Sequence, residues 1–264
     1  MARGNSGASL SMALKAVFFD LDDTLLDWSG FHGDWAKMEA QHLRNVFDYI
    51  SDTIHPLDDP DAYAAEFRTR TMDAWTAART SLRAPNLGSV LVEAAVALGV
   101  ASNKLDMRRL LEVYAWNAVE GTGMFPDVPE ALQLLHDHNI KVGIVTNAYQ
   151  PMWIRDVEIA THGILQYFPS CRLSAADIGY LKPHPTIFQM ALNCAGVKPH
   201  EAVFVGDDPE ADIAGAQAAG LHAVLRYTAR RGLQLDSAIV PDARIVSLAE
   251  LPFILDRWYP GWRT

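Results

Sequence analysis

Cysteine is nearly absent from this sequence: Cys171 and Cys194 are the only two in 264 residues. No cysteine–histidine grouping stands at zinc-site spacing and no calcium-loop pattern occurs, which excludes those metal modules. Two thiols admit one disulfide, but so few suit a reducing compartment, and the expectation is two structural thiols with Cys194 in the core. Positive charge is also scarce. Lys and Arg number 22 against 32 Asp and Glu, a net charge of −10. That balance argues against nucleic acid or an anionic membrane as a partner held by bulk electrostatics. It leaves an anionic substrate open, because a metal and one lysine reverse the field locally. No apolar run approaches a membrane span. The first fifteen residues are weakly apolar, and no hydrophobic segment follows Arg3, so no secretory signal is read there. The expected location is the cytoplasm, with residues 1–12 as a frayed tail.

What is present is a change of pattern along the chain. Ala16-Val-Phe-Phe is an apolar run that reads as a short strand buried on both faces, and it ends in Asp20-Leu-Asp22-Asp23-Thr24. From about Asp27 to Glu120 amphipathic segments follow one another and nothing reads as a strand. Helical spacing is seen over Phe31–Ile50, over Tyr63–Trp75, after Asn86 as a cap, and from about Asn103 to Val119. Gly121-Thr-Gly123 marks a boundary. Beyond it, strand candidates at Ile140–Val145, Ala202–Val205, His222–Leu225 and Ala243–Val246 alternate with helices near 127–138, 151–162, 184–195 and 209–219. The fold class is therefore α/β. A Rossmann-like parallel sheet core over 13–26 and 121–264 is flanked by helices and carries an inserted all-helical cap domain over 27–120.

Parallel strands bring their carboxyl ends to one edge, where ligands bind in open α/β sheets. Asp20, Asp22, Thr146, Asp207, Asp208 and Asp212 would then share a crevice. So many carboxylates repel one another unless a cation intervenes, and an all-oxygen donor set suits Mg²⁺.

Four segments carry a resemblance. They are Asp20-Leu-Asp22-Asp23-Thr24, then Val145-Thr146-Asn147, then Gly179-Tyr-Leu-Lys182-Pro, then Gly206-Asp207-Asp208-Pro-Glu-Ala-Asp212. In this order, around a helical insert, the chain resembles the haloacid dehalogenase-like hydrolases over about residues 14–250. The match is to their phosphatase branch with a cap after the first motif. The resemblance implies that Asp20 is the nucleophile and that Asp22 is general acid and then base, with Thr24 orienting Asp22. Thr146, with the Asn147 amide, and Lys182 would hold the phosphoryl group. Mg²⁺ would be held by Asp20, the Asp22 carbonyl and Asp207. Asp212 would act behind them, through water or by steadying Lys182. Asp208 is read as an orienting or N-capping residue in preference to a metal contact. An acid at position 22 is missing from the dehalogenase branch, so its presence points to phosphate esters.

The expected function is a Mg²⁺-dependent phosphatase acting on a small phosphorylated metabolite through an aspartyl-phosphate, as a monomer or homodimer. The alternatives are a phosphomutase on the same scaffold, or a non-catalytic binding or regulatory protein. Phe31, Trp35, Phe47, Trp75 and Trp116 are read as core of the helical insert, with Trp28 the best candidate to face the site. Arg68, Arg70, Arg79 and Arg83 are read as a solvated face, with a second anion site on the cap as the alternative. His184 is read as an N-terminal helix residue.

Overall fold

A computed structural model of the chain describes residues 13–228, 230 and 238–264; the tail expected over residues 1–12 lies outside them. The central sheet contains β1 (Ala16–Phe19), β4 (Lys141–Thr146), β5 (Arg172–Ser174), β6 (Ala202–Gly206), β7 (His222–Arg226) and β8 (Ala243–Ile245). Its order is β5-β4-β1-β6-β7-β8 and every pairing is parallel. In register, Val17 lies between Val142 and Val203, and Phe19 between Ile144 and Val205. Strand side chains alternate between faces. Val17 and Phe19 accordingly enter one apolar cluster, while Ala16 and Phe18 enter a second on the opposite face. The short β1 is thus buried twice over, which is why it shows no polar alternation.

Helices α5 (Val128–Asp137), α6 (Met152–Thr161), α7 (Ala175–Ile178), α8 (Pro185–Ala195), α9 (Gly215–Ala218) and α10 (Leu251–Trp258) accompany the sheet strands. Between β1 and β4 lie four further helices: α1 (Trp35–Thr53), α2 (Pro60–Ser81), α3 (Leu87–Ala97) and α4 (Met107–Tyr114). Each starts at a side chain that satisfies free backbone N–H groups, namely Asp34, Asp59, Asn86 and Asp106. They pack on one another, and Leu43, Phe47, Tyr63, Leu91 and Tyr114 join the same apolar cluster as Val17 and Phe19. Two short antiparallel strands, β2 (Leu26–Asp27) and β3 (Gly123–Met124), pair where the chain leaves for these helices and returns.

Several expectations change. The fourth helix of the insert is shorter than read, because Asp106 caps its start and Ala115, at φ 56, ends it. β5 was not read from the sequence: it is three residues at the sheet edge, too short to show a pattern. β2 and β3 are two residues each and equally silent. The thiols are not free. Cys171, just before β5, and Cys194, near the end of α8, are joined by a disulfide across a Cα separation of 5.8 Å. Cys194 is exposed, not core. The C-terminal segment after α10 packs on the chain's own surface, with Tyr259 fully buried and Trp262 Nε1 donating to Asp256 at 2.8 Å. Among the described residues, no helix is long and apolar enough to cross a membrane.

Candidate active site

Asp20 follows β1, Thr146 ends β4, and Asp207 follows β6. Since these strands are adjacent and parallel, the three residues come to one edge of the sheet. Lys182, in the loop between α7 and α8, arrives from the side. Its ammonium lies 2.6 Å from Asp20 Oδ1 and 2.7 Å from Asp212 Oδ1. The loop is fixed by Asn147, whose carboxamide accepts from Lys182 N at 2.7 Å and donates to Lys182 O at 3.1 Å. Asp20, Asp22, Thr146, Asn147, Lys182, Asp207, Asp208 and Asp212 all border one crevice.

The electrostatics of the crevice are dominated by acid. Burial pushes the Asp20 carboxyl well above its ordinary value, and Asp212, Asp207 and Asp22 push it the same way against Lys182. Burial alone would lower the Lys182 ammonium, but Asp20 and Asp212 outweigh it and hold the group charged. Oxygens of Asp20, Asp207 and Asp212 lie within 4.8 Å of one another, all three residues being buried. Burying three carboxylates around one ammonium is costly without further positive charge. The donor set is oxygen alone and could hold a hard divalent cation.

Gly206 makes the close approach possible. A Cβ at this position would collide with the Asp212 carboxylate. Asp212 Oδ2 in turn accepts from Asp208 N at 3.0 Å. The Asp208 carboxylate accepts from Glu210 N and Ala211 N, at 2.9 and 2.8 Å, and so caps the π-helical turn Pro209–Ala214. Asp23 sits at φ 60 in the turn after Asp22.

Asp22 is held differently from the expectation. Among the described residues the buried Thr24 hydroxyl has no hydrogen-bond partner, and Thr24 does not border the crevice, so it does not orient Asp22. Asp22 Oδ1 accepts instead from Arg155 Nη2 at 2.7 Å and from Trp28 Nε1 at 2.9 Å. Arg155 is 3% exposed, on α6, and its Nε lies 3.0 Å from Glu158 Oε2, a close ion pair without hydrogen-bond alignment. Glu158 is fully buried and also accepts from Trp116 Nε1 at 3.2 Å. Neither Arg155 nor Glu158 was singled out from the sequence. The available signal was an i, i+3 charged pair flanked by Ile154 and Ile159 on an otherwise core-facing helix surface.

The cap readings divide. Trp28 does reach the site. Phe47 and Trp116 are buried as expected, though Trp116 also borders the crevice, and Trp35 and Trp75, 39% and 36% exposed, border it as well. The arginine stretch is dispersed: Arg70 pairs with Glu66 at 3.1 Å, and Arg83 lies over the Tyr180 ring. Arg79 borders a neighbouring groove with Leu181, Lys182 and Asp208. His184 caps α8, its Nδ1 accepting from Thr186 N at 3.2 Å.

The chain has relatives among known proteins. The glyceraldehyde 3-phosphate phosphatase of Methanothermobacter thermautotrophicus is 29% identical over 222 residues, covering 80% of this chain and 85% of that one. The ribulose-1,5-bisphosphate 5-phosphatase of Halopiger xanaduensis is 32% identical, covering 80% and 83%. Among solved structures, a 2-haloacid dehalogenase from Pseudomonas syringae superposes with a TM-score of 0.62 at 30% identity, covering 93% of this chain and 99% of that one. A haloacid dehalogenase-like phosphatase from Thermococcus onnurineus gives 0.58 at 28% identity, covering 92% and 98%. The profile of one family matches residues 14–220, spanning all four motifs: the chain belongs to the haloacid dehalogenase-like hydrolases.

Proposed function

We propose that this chain is a Mg²⁺-dependent phosphomonoesterase acting on a small phosphorylated metabolite through phospho-Asp20. The observation that carries the reading is the buried Asp20–Lys182 pair at 2.6 Å, set beside Asp22, Thr146 and Asp207 at one sheet edge. An Asp20 oxygen attacks the substrate's phosphorus, the bond from phosphorus to the leaving alcohol's oxygen breaks, and Asp22 gives its proton to that oxygen. Asp22 then takes a proton from water, which attacks phosphorus and frees phosphate and Asp20. Lys182 and the Thr146 hydroxyl offset charge on the transferring group. Asp20, the Asp22 carbonyl and Asp207 would hold Mg²⁺, which neutralises the phosphoryl oxygens and the crowded carboxylates. The helices of residues 27–120 act as the cap that excludes bulk water.

The likeness to a dehalogenase structure raises a second reading, displacement of halide from carbon by Asp20. A departing halide needs no proton, whereas Asp22 is held in place by both Arg155 and Trp28. The acid favours an oxygen leaving group. The test is p-nitrophenyl phosphate with Mg²⁺, with EDTA, and with Asp20→Asn, run beside 2-chloropropionate. Phosphate release that vanishes with EDTA and with the substitution, and no halide release, is expected. Activity that survives either treatment overturns the mechanism.

A further inference from the structure

Four of the seven tryptophans in the chain border the catalytic crevice. Trp28, Trp35 and Trp116 form a continuous set, with ring centroids 6.2 and 6.1 Å apart. Trp75 and Tyr149 form a second pair at 6.2 Å. Trp35 and Trp75 leave more than a third of their surface uncovered, a large aromatic area beside a phosphoryl site. The cavity of about 380 Å³ is at the small end for ligand sites, which suits a phosphoryl group and one ring.

Charge disfavours a leaving group that carries a second anion. Three cations border the crevice among the described residues, and each is already opposed by carboxylate. Arg155 pairs with Asp22 and Glu158, Lys182 with Asp20 and Asp212, and Arg230 with Asp23 at 2.7 Å. Inside the crevice a second anionic group on the substrate would meet surplus acid and, among the described residues that line it, no uncommitted cation; Arg79 lines the neighbouring groove. The Asn147 carboxamide is spent at both ends on the Lys182 backbone. Gln150 is 3% exposed, borders the crevice, and has no side-chain partner among the described residues. Its carboxamide can meet one neutral polar substituent on a leaving group.

We infer that the preferred substrate is the phosphomonoester of an uncharged aromatic alcohol or phenol, its ring stacked on Trp35 and Trp75. This rests on the phosphatase reading above and gives that site its leaving group. Stacking on indole and phenol faces binds a flat ring with little directional demand.

The experiment compares kcat/KM for benzyl phosphate, methyl phosphate and phosphoglycolate with Mg²⁺ present. Benzyl alcohol and methanol are of closely similar acidity, so intrinsic reactivity does not separate the first two. Benzyl phosphate is expected to exceed methyl phosphate by roughly 10-fold to 100-fold, and phosphoglycolate is not expected to exceed methyl phosphate. Trp75→Ala and Trp35→Ala should each draw the benzyl-to-methyl ratio towards one, and Trp75→Phe should keep most of it. Inhibition constants of benzylphosphonate and methylphosphonate on the unaltered protein should differ in the same sense, which needs no variant. A ratio near one, or phosphoglycolate as the better substrate, overturns the inference while Asp20-dependent turnover leaves the phosphatase reading standing. No turnover of any ester overturns both.

Discussion

Arg155 holds Asp22, the proposed acid–base residue, from a position 133 residues away in sequence. It is buried, with Asp22 on one side and Glu158 on the other, so its removal strands a buried carboxylate. Arg155→Met is expected to cost about 3–5 kcal/mol of stability, because breaking a buried pair leaves the remaining charge uncompensated. Adding Glu158→Gln should recover most of that loss in urea denaturation, since exchanging both partners for neutral groups is often near neutral. Catalysis should not recover with it. With Asp22 unfixed, kcat should stay down by about 100-fold in the double variant, the scale of a 1 Å misplacement. A double variant that regains both properties would reduce Arg155 to a structural role. At this scale the sequence shows Asp20, Asp22, Thr146, Lys182 and Asp207, because each ends an apolar run or sits in a motif. Arg155 and Glu158 end nothing. Their burial becomes visible only once α6 is seen lying against the crevice.

Elements were legible where they were long or capped. The sequence places a helix after Asn86, and the structure starts α3 there, with Asn86 accepting from Ser89 N at 3.1 Å. What periodicity does not show is the second bond: Asn86 Nδ2 donates to Ala176 O at 3.2 Å and ties α3 to the segment preceding Lys182. Asn86→Ala should therefore lower stability by about 1–2 kcal/mol, at the upper range for a lost cap. Asn86→Asp keeps an acceptor for the cap but not the donor, and should fall between the two in thermal denaturation. Equal melting temperatures for the Ala and Asp variants would show that the cap itself contributes little. The elements that escaped reading are the ones without room for a pattern. β2, β3 and β5 span two, two and three residues, and their pairing is set by the strands they join. The exposure of Trp35 and Trp75 escaped for a related reason: helical spacing marks a face as apolar but does not say whether that face meets the core or a crevice.

Across the whole molecule, alternation of strand and helix shows a parallel sheet, whereas its order comes from long-range contacts that no local pattern encodes. Asp127 makes several of these contacts at once. It accepts from Arg226 Nη2 at 2.9 and 3.0 Å, from Ser247 Oγ at 2.7 Å and from Leu248 N at 2.8 Å. Arg226 also donates to Thr24 O at 3.0 Å, so the clamp joins the start of α5, the end of β7, the turn after β8 and the loop that carries Asp22. Burial would raise the Asp127 carboxyl, but the Ser247 hydroxyl, Arg226 and the Leu248 amide outweigh it and hold the group below its ordinary value of 3.8. A carboxyl depressed in the fold binds its proton more readily in the unfolded chain. Its contribution is thus complete above the ordinary value and is lost as pH falls through the folded one. Charge-assisted bonds of this kind contribute roughly 1–3 kcal/mol. Asp127→Asn should lower the urea midpoint at pH 7, and the gap to the unaltered protein should shrink as pH approaches 3. A gap that stays constant from pH 7 to pH 3 would mean that shape rather than charge holds the clamp together. The same titration should leave the motif loop less ordered at acid pH, because Arg226 then keeps Thr24 O but loses the anion that aims it.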